Sequence, residues 1–80
     1  MNNLEKYNSA FIEIFKVSGD MLSELEYQGI EAWDSVGHMQ LIAELEETFD
    51  IMFDTDDIID FSSYNIGKQI LKKYEVEIGE

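Results

Sequence analysis

The sequence predicts an all-α fold: a small bundle of four helices with a long loop between the first and second helices and a short third helix. Its 80 residues suit one small domain, spanning residues 1–80, and its hydrophobic content of 45% is ample for a packed core. Apolar residues recur every three or four positions in three segments, which is the spacing of one helix face. The chain contains no proline, and no repeat or low-complexity linker divides it. The segment 75–78 alternates like a strand but has no partner of the same kind.

The first helix is predicted from Leu4 to Val17, with Asn3 as its N-cap and Gly19 as its end. Its apolar positions are Leu4, Tyr7, Phe11, Ile14 and Phe15. Residues 18–33 are predicted to form a long connection because they lose the helical period. Connections of this length are commonly functional or contain a helical turn. The residues that could hold this connection against the core are Met21, Leu22, Leu25, Tyr27 and Ile30.

The second helix is predicted from Asp34 to Asp50, where the carboxylate of Asp34 caps the first turn. Its predicted core-facing stripe consists of Val36, Met39, Ile42, Leu45 and Phe49. Trp33, just before the cap, has two interpretations: it covers the end of the bundle, or it lines the approach to Ser35. Gly37 costs the helix roughly 0.5–1 kcal/mol relative to alanine. Its predicted use is the close approach of a partner to bare backbone.

The last two helices follow a turn at residues 50–53. The third helix is short, covering residues 55–61, and begins at a cap formed by Asp54 or Thr55. Ser62 or Ser63 caps the fourth helix. The apolar stripe of the fourth helix is Ile66, Ile70, Leu71 and Tyr74, and the cations near its C-terminal end, where they suit the helix dipole, are Lys72 and Lys73.

The charge of the chain is concentrated in its middle. There are 18 acidic and 5 basic residues, and the formal net charge is −13. The five basic residues all lie outside residues 17–67, and five acidic residues outside that segment balance them. The whole net charge therefore resides in residues 17–67, where self-repulsion weakens the fold at low salt. Such a field repels nucleic acid and attracts proteins with basic surfaces.

The chain contains no cysteine, which excludes disulfides, thiol catalysis and cysteine-bound zinc. No segment approaches the roughly 20 apolar residues of a membrane span. The first residues also lack the charged-then-apolar pattern of a signal peptide. We therefore expect a cytoplasmic protein, monomeric and without a membrane or nucleic-acid partner, in which any thiol chemistry depends on an added group.

Ser35 is the predicted site of chemical modification in this chain. It stands in the sequence Trp-Asp-Ser-Val-Gly at positions 33–37, directly before the second helix. With Asp34 as the cap, Ser35 takes the first helical position, outside the packed stripe and at the positive end of the helix dipole. A phosphate ester there would meet unpaired N–H groups and a favourable field.

The segment Asp34-Ser35-Val36, followed by the apolar stripe, by Glu46-Glu47 and by Phe49, resembles the attachment motif of acyl carrier proteins, and the resemblance covers most of the chain. In that family the serine of an Asp-Ser-apolar motif carries 4'-phosphopantetheine. The resemblance implies a bundle of acyl-carrier type and cofactor attachment at Ser35, with Asp34 and Val36 beside it. It implies recognition of partner enzymes by the acidic residues Glu31, Asp34, Glu44, Glu46 and Glu47.

The resemblance also implies how such a chain works. A magnesium-dependent phosphopantetheinyl transferase directs the serine hydroxyl at the β-phosphate of coenzyme A. The thiol of the attached arm then holds an acyl or aminoacyl group as a thioester. Such a carrier is not an enzyme and has no metal site of its own. Its partners are the transferase and the acyl-loading and acyl-accepting enzymes, which present basic docking surfaces.

Four positions differ from the best-known fatty-acid carriers. Gly37 and Gln40 stand where those carriers usually have acidic residues. Glu44 replaces a small apolar residue, and Asp54 replaces a frequent proline. We therefore predict a carrier for a specialised pathway, such as polyketide, lipid, cell-envelope or saccharide modification. The Ser-apolar-Gly pattern also fits a D-alanyl-type carrier.

Three other functions would use some of the same residues. A serine hydrolase would pair Ser35 with His38, but Trp33 stands where a nucleophile elbow needs glycine and no orienting acid is evident. The acidic run that begins at Asp54 resembles a calcium loop, but Ile59 stands where an EF-hand loop needs glycine. An unmodified acidic interaction module, such as an inhibitor or a DNA mimic, remains the alternative to the carrier.

Overall fold

A computed structural model describes residues 2–78 of the chain, which are mostly helical. Four α-helices are α1 (Asn3–Phe15), α2 (Ser35–Phe49), α3 (Thr55–Asp60) and α4 (Tyr64–Lys72), and a 3₁₀ helix (Gly19–Glu24) lies between α1 and α2. Residues 2–78 contain no strand, and their one β-bridge joins Glu26 to Ser63. The all-α prediction is confirmed. None of the helices in this part of the chain has the length and apolar character needed to cross a membrane.

The helix α1 begins one residue earlier than predicted. Asn2, not Asn3, is its N-cap: the Asn2 side chain accepts a hydrogen bond from the Glu5 backbone N–H (2.8 Å). The Glu5 carboxylate accepts one from the Asn2 backbone N–H (3.1 Å), which completes a capping box. The helix ends at Phe15 because Lys16 adopts a left-handed conformation (φ 57°).

The connection between α1 and α2 is hydrogen-bonded to the segment between α3 and α4. Leu22 and Leu25 are buried, as predicted. The Tyr27 N–H donates to the carbonyl of Ser62 (2.8 Å), and the Tyr64 N–H donates to the carbonyl of Leu25 (3.0 Å). These two hydrogen bonds fasten the connection to the junction between α3 and α4.

An aromatic cluster forms the centre of the core. Phe11 packs against Trp33 with ring centroids 5.6 Å apart, and Trp33 stacks on Phe15 at 5.1 Å. The Tyr7 hydroxyl donates to the backbone carbonyl of Tyr64 (2.6 Å). Burial raises the pKa of Tyr7, so this hydroxyl remains a donor.

The inward face of α2 differs from the predicted stripe. Ile42 and Leu45 are buried as expected, but Val36 and Met39 are 65% and 52% exposed. The residues that face the core instead include Gly37 and Leu41. The choice of face follows from Gly37, where an added Cβ would lie 2.0 Å from the carbonyl oxygen of Ala32. Only a residue without a Cβ lets α2 pack this closely on the preceding chain.

The helix α3 is fastened to the end of α4 by a buried carboxylate. Asp57 accepts hydrogen bonds from Lys73 Nζ (2.6 Å) and from the Tyr74 hydroxyl (2.5 Å). The Lys73 ammonium, followed by the Tyr74 hydroxyl, holds the pKa of Asp57 below its ordinary value. Asp57 therefore anchors α3 and is not a free carboxylate of the acidic run that superficially resembles a calcium loop. The sequence analysis did not anticipate this anchor.

Candidate functional site

Ser35 is the first residue of α2 and is exposed, as predicted. Asp34 is the N-cap: its Oδ1 accepts a hydrogen bond from the Gly37 N–H (2.8 Å), and its carbonyl accepts one from the His38 N–H (2.8 Å). The first turn of α2 carries no acidic side chain. The positive end of the helix dipole therefore lies beside the Ser35 hydroxyl, where it favours an anion.

Val36 is the most exposed large apolar residue of α2, at 65%. It follows Ser35 directly and lies outside the core. The surface immediately around the hydroxyl is therefore partly apolar, and a protein that reached Ser35 would also contact Val36. Its exposure was not predicted, because the sequence periodicity had assigned Val36 to the buried stripe.

His38 links α2 to Trp33, in the chain just before the helix, and to Ile58 of α3. Its Nδ1 accepts a hydrogen bond from Trp33 Nε1 (2.9 Å), and its Nε2 lies 2.8 Å from the carbonyl oxygen of Ile58. The indole N–H can only donate and a carbonyl can only accept, so the geometry pairs Nδ1 as acceptor and Nε2 as donor. Both ring nitrogens are occupied, and neither is available to take a proton from Ser35.

A groove between α2 and α3 opens beside Ser35. Its volume is about 340 Å³. Its walls and floor, which we call the α2–α3 groove, are formed by Tyr27, Ser35, His38, Met39, Ile58, Ile59, Phe61 and Ser62. Most of these side chains are apolar, so the groove suits an apolar or weakly polar group attached near Ser35.

The sequence did not predict which residues form the walls of this groove. Met39 was placed in the buried stripe, yet it is 52% exposed at the groove. Ile59 is 71% exposed and comes from α3, twenty-four residues after Ser35 in the chain. No local pattern relates these residues, since they meet only through the packing of α3 against α2. Trp33 does not line the approach to Ser35, because its side chain is 0% exposed and lies in the core.

The five acidic residues expected to recognise partners have different surroundings. Glu31 and Asp34 are exposed near the start of α2. Glu46 is half-buried, and its carboxylate accepts a hydrogen bond from the Phe53 N–H (2.9 Å), so it stabilises the turn after α2. Glu44 and Glu47 border a shallow depression on the other side of α2, which also includes Ile14, Gln40 and Ala43.

Within residues 2–78, no group of three or more His, Asp or Glu side chains is arranged to hold a metal ion. Comparison with protein-family models, with curated proteins and with solved structures found no match to this chain.

Proposed function

We propose that this chain is a specialised carrier protein, a four-helix bundle of acyl-carrier type in which Ser35 accepts 4'-phosphopantetheine. The observation that carries the proposal is the position of Ser35: an exposed hydroxyl at the first residue of α2, at the mouth of the α2–α3 groove. The residues present fit an attached phosphodiester, because Ser35 is accessible and the first turn of α2 carries no competing acidic side chain.

Each neighbouring residue has a defined task in this proposal. Asp34 holds the first turn through the Gly37 N–H and so keeps the hydroxyl at the helix start. Val36 offers an apolar contact to the loading enzyme. His38 holds α3 beside the site through the carbonyl of Ile58. When attached, the group supplies a thiol, which the chain itself lacks, to hold an acyl or aminoacyl cargo as a thioester.

The loading reaction needs no catalytic base from this chain. Ser35 Oγ forms a bond to the β-phosphorus of coenzyme A, and the bond from that phosphorus to the bridging oxygen breaks. Adenosine 3',5'-bisphosphate leaves, and the hydroxyl proton passes to a base of the magnesium-dependent phosphopantetheinyl transferase. A base from the transferase is needed because both ring nitrogens of His38 already make hydrogen bonds within this chain. The chain is then a non-enzymatic, monomeric cytoplasmic carrier.

The net charge of −13 supports partners with basic docking surfaces and opposes binding to nucleic acid. Exposed carboxylates such as Glu31, Asp34 and Glu47 can contribute to that docking, each pair being weak enough for rapid release. Because Glu46 stabilises the turn after α2, we expect its substitution to change stability more than partner binding.

The test is intact-mass measurement after incubation with coenzyme A, magnesium and a broad-specificity phosphopantetheinyl transferase. We expect one phosphopantetheine on the native chain and none on Ser35→Ala. Ser62→Ala is the matched control, because Ser62 is also exposed and lies in the same groove, but it is not at a helix start after an aspartate. This control should load fully. Equal modification of Ser35→Ala and the native chain would contradict the proposal.

The alternative is an unmodified acidic interaction module, favoured by the concentration of the whole net charge in residues 17–67. It predicts that a folded native chain gains no mass in the same experiment. It also predicts that Ser35→Ala leaves every partner interaction unchanged.

A further inference from the structure

The boundary between α2 and α3 is closed by hydrogen bonds at the inner edge of the groove. His38 joins Trp33 on one side to the Ile58 carbonyl of α3 on the other. Its ring also lies 5.3 Å from that of Tyr27, which belongs to the groove wall. A group that displaced His38 on its way from the groove into the core would break one or both of its hydrogen bonds.

The core behind His38 is filled by aromatic side chains. Phe61 is fully buried, and its ring centroid lies within 6.5 Å of those of Phe11, Trp33 and His38. On the far side of Phe61, a Cβ added at Gly67 would lie 2.3 Å from Phe61 Cζ. The core at this point has no room for a methyl group, so an entering chain would have to displace these rings.

The groove outside this barrier is small. If each non-hydrogen atom takes ~30 Å³, the share of one water molecule in the liquid, the groove volume corresponds to about ten such atoms. Its apolar walls include Met39 and Ile59, both more than half exposed. A short apolar group would therefore cover exposed side chains without opening the core.

We infer that the cargo of this carrier is a short acyl or aminoacyl group held at the surface in the α2–α3 groove, and that His38 is the positioning residue that closes the core to longer chains. This inference rests on the proposed attachment at Ser35. It limits the substrate class to groups of no more than about ten carbon atoms and excludes sequestration of a long fatty-acyl chain.

The experiment transfers acyl-phosphopantetheine from acetyl-, butyryl-, hexanoyl-, dodecanoyl- and palmitoyl-coenzyme A onto the native chain, with intact mass confirming each product. Two properties are then measured for every product: the rate of thioester cleavage by hydroxylamine, and the fluorescence emission of Trp33, the single tryptophan of the chain. Cleavage reports shielding of the cargo. Emission reports any change in the core, where Trp33 is fully buried.

We expect cleavage to slow from acetyl to about the length that fills the groove and then to stay constant through palmitoyl, with unchanged Trp33 emission. If the chain entered the core instead, each buried methylene would slow cleavage by up to about fourfold, and the slowing would continue through dodecanoyl and palmitoyl. That continued slowing, with a shift in Trp33 emission, would overturn the inference while leaving the carrier function intact. An absence of any mass addition would overturn the carrier proposal itself.

Two variants separate the role of His38 from general stability. His38→Ala removes both hydrogen bonds, and we expect it to extend the slowing of cleavage to longer chains. His38→Gln retains a carbonyl to accept from Trp33 and an amide to donate to Ile58, so it should restore the native dependence on chain length. If both variants showed the native dependence, His38 would not be the barrier.

Discussion

The starts of α1 and α2 are constructed in different ways. At α1, Asn2 and Glu5 satisfy each other's backbone N–H groups, and Glu5 places a negative charge in the first turn. At α2, Asp34 accepts from the N–H of Gly37, the position equivalent to Glu5 is a glycine, and the first turn contains no acidic side chain. The dipole of α1 is therefore compensated locally, whereas that of α2 is compensated only by the cap.

The start of α2 depends on tertiary packing where that of α1 depends on local capping. Trp33, just before the cap, is fully buried, and Gly37 packs against the carbonyl of Ala32. A helix start can thus be held firmly by tertiary packing while the cap alone offsets its dipole. At α2 this leaves a favourable field for an anion next to the exposed hydroxyl of Ser35.

The largest effect should come from removing the anchor before α2. Trp33→Ala deletes a fully buried indole and leaves His38 Nδ1 without its donor. We expect a loss of about 3–5 kcal/mol in the free energy of unfolding, measured by urea denaturation followed by circular dichroism. Met52→Ala, at a residue 78% exposed, should change this value by no more than about 0.5 kcal/mol. Similar losses in the two variants would show that the start of α2 is not anchored by Trp33.

The second effect tests the close approach at Gly37. Gly37→Ala should lower the free energy of unfolding by about 1–3 kcal/mol through overpacking, although alanine is the better helix former. The reason is the 2.0 Å distance from the new Cβ to the Ala32 oxygen. Gly19→Ala is the control, since a Cβ there meets nothing within 4 Å. A Gly37→Ala variant more stable than the native chain would mean that the local preference for alanine outweighs the packing.

The third effect compares the two caps directly. Asn2→Ala and Asp34→Ala each remove a side chain that accepts a first-turn N–H, and each should cost about 0.5–2 kcal/mol in the same denaturation experiment. Asp34→Asn keeps an accepting oxygen and should lose much less. Only the Asp34 variants are expected to slow phosphopantetheine loading at Ser35. A loading defect in Asn2→Ala would show that it reflects general destabilisation.

The smallest effect tests the part of the α2 dipole that the Asp34 cap leaves uncompensated. Ser35→Asp places a negative charge at the first residue of α2 and should raise the free energy of unfolding by about 0.3–1 kcal/mol at low salt. Gln40→Glu adds the same charge at an exposed position further along α2, where the dipole gives no such benefit. The difference between the two variants should shrink as salt is added. Equal destabilisation by both would mean that the net charge outweighs the local field.

Much of the fold and part of the site could be predicted from the sequence. The helical segments, the cap at Asp34 and the exposed position of Ser35 follow from periodicity and capping chemistry, which act within one or two turns. The burial of Val36 and Met39 was predicted wrongly because apolar spacing alone does not reveal which of several apolar faces turns inward. Gly37 was interpreted as space for a partner, but the space is taken by the Ala32 carbonyl of the same chain.

Composition and near neighbours in the chain were enough to predict an all-α acidic chain with an exposed hydroxyl at a helix start. Only the tertiary structure decided which face of α2 is buried, that Asp57 is held by Lys73 and Tyr74, and that His38 bridges Trp33 and Ile58. These contacts join residues from different elements, and their geometry depends on how the helices pack. The α2–α3 groove beside Ser35 arises from that packing.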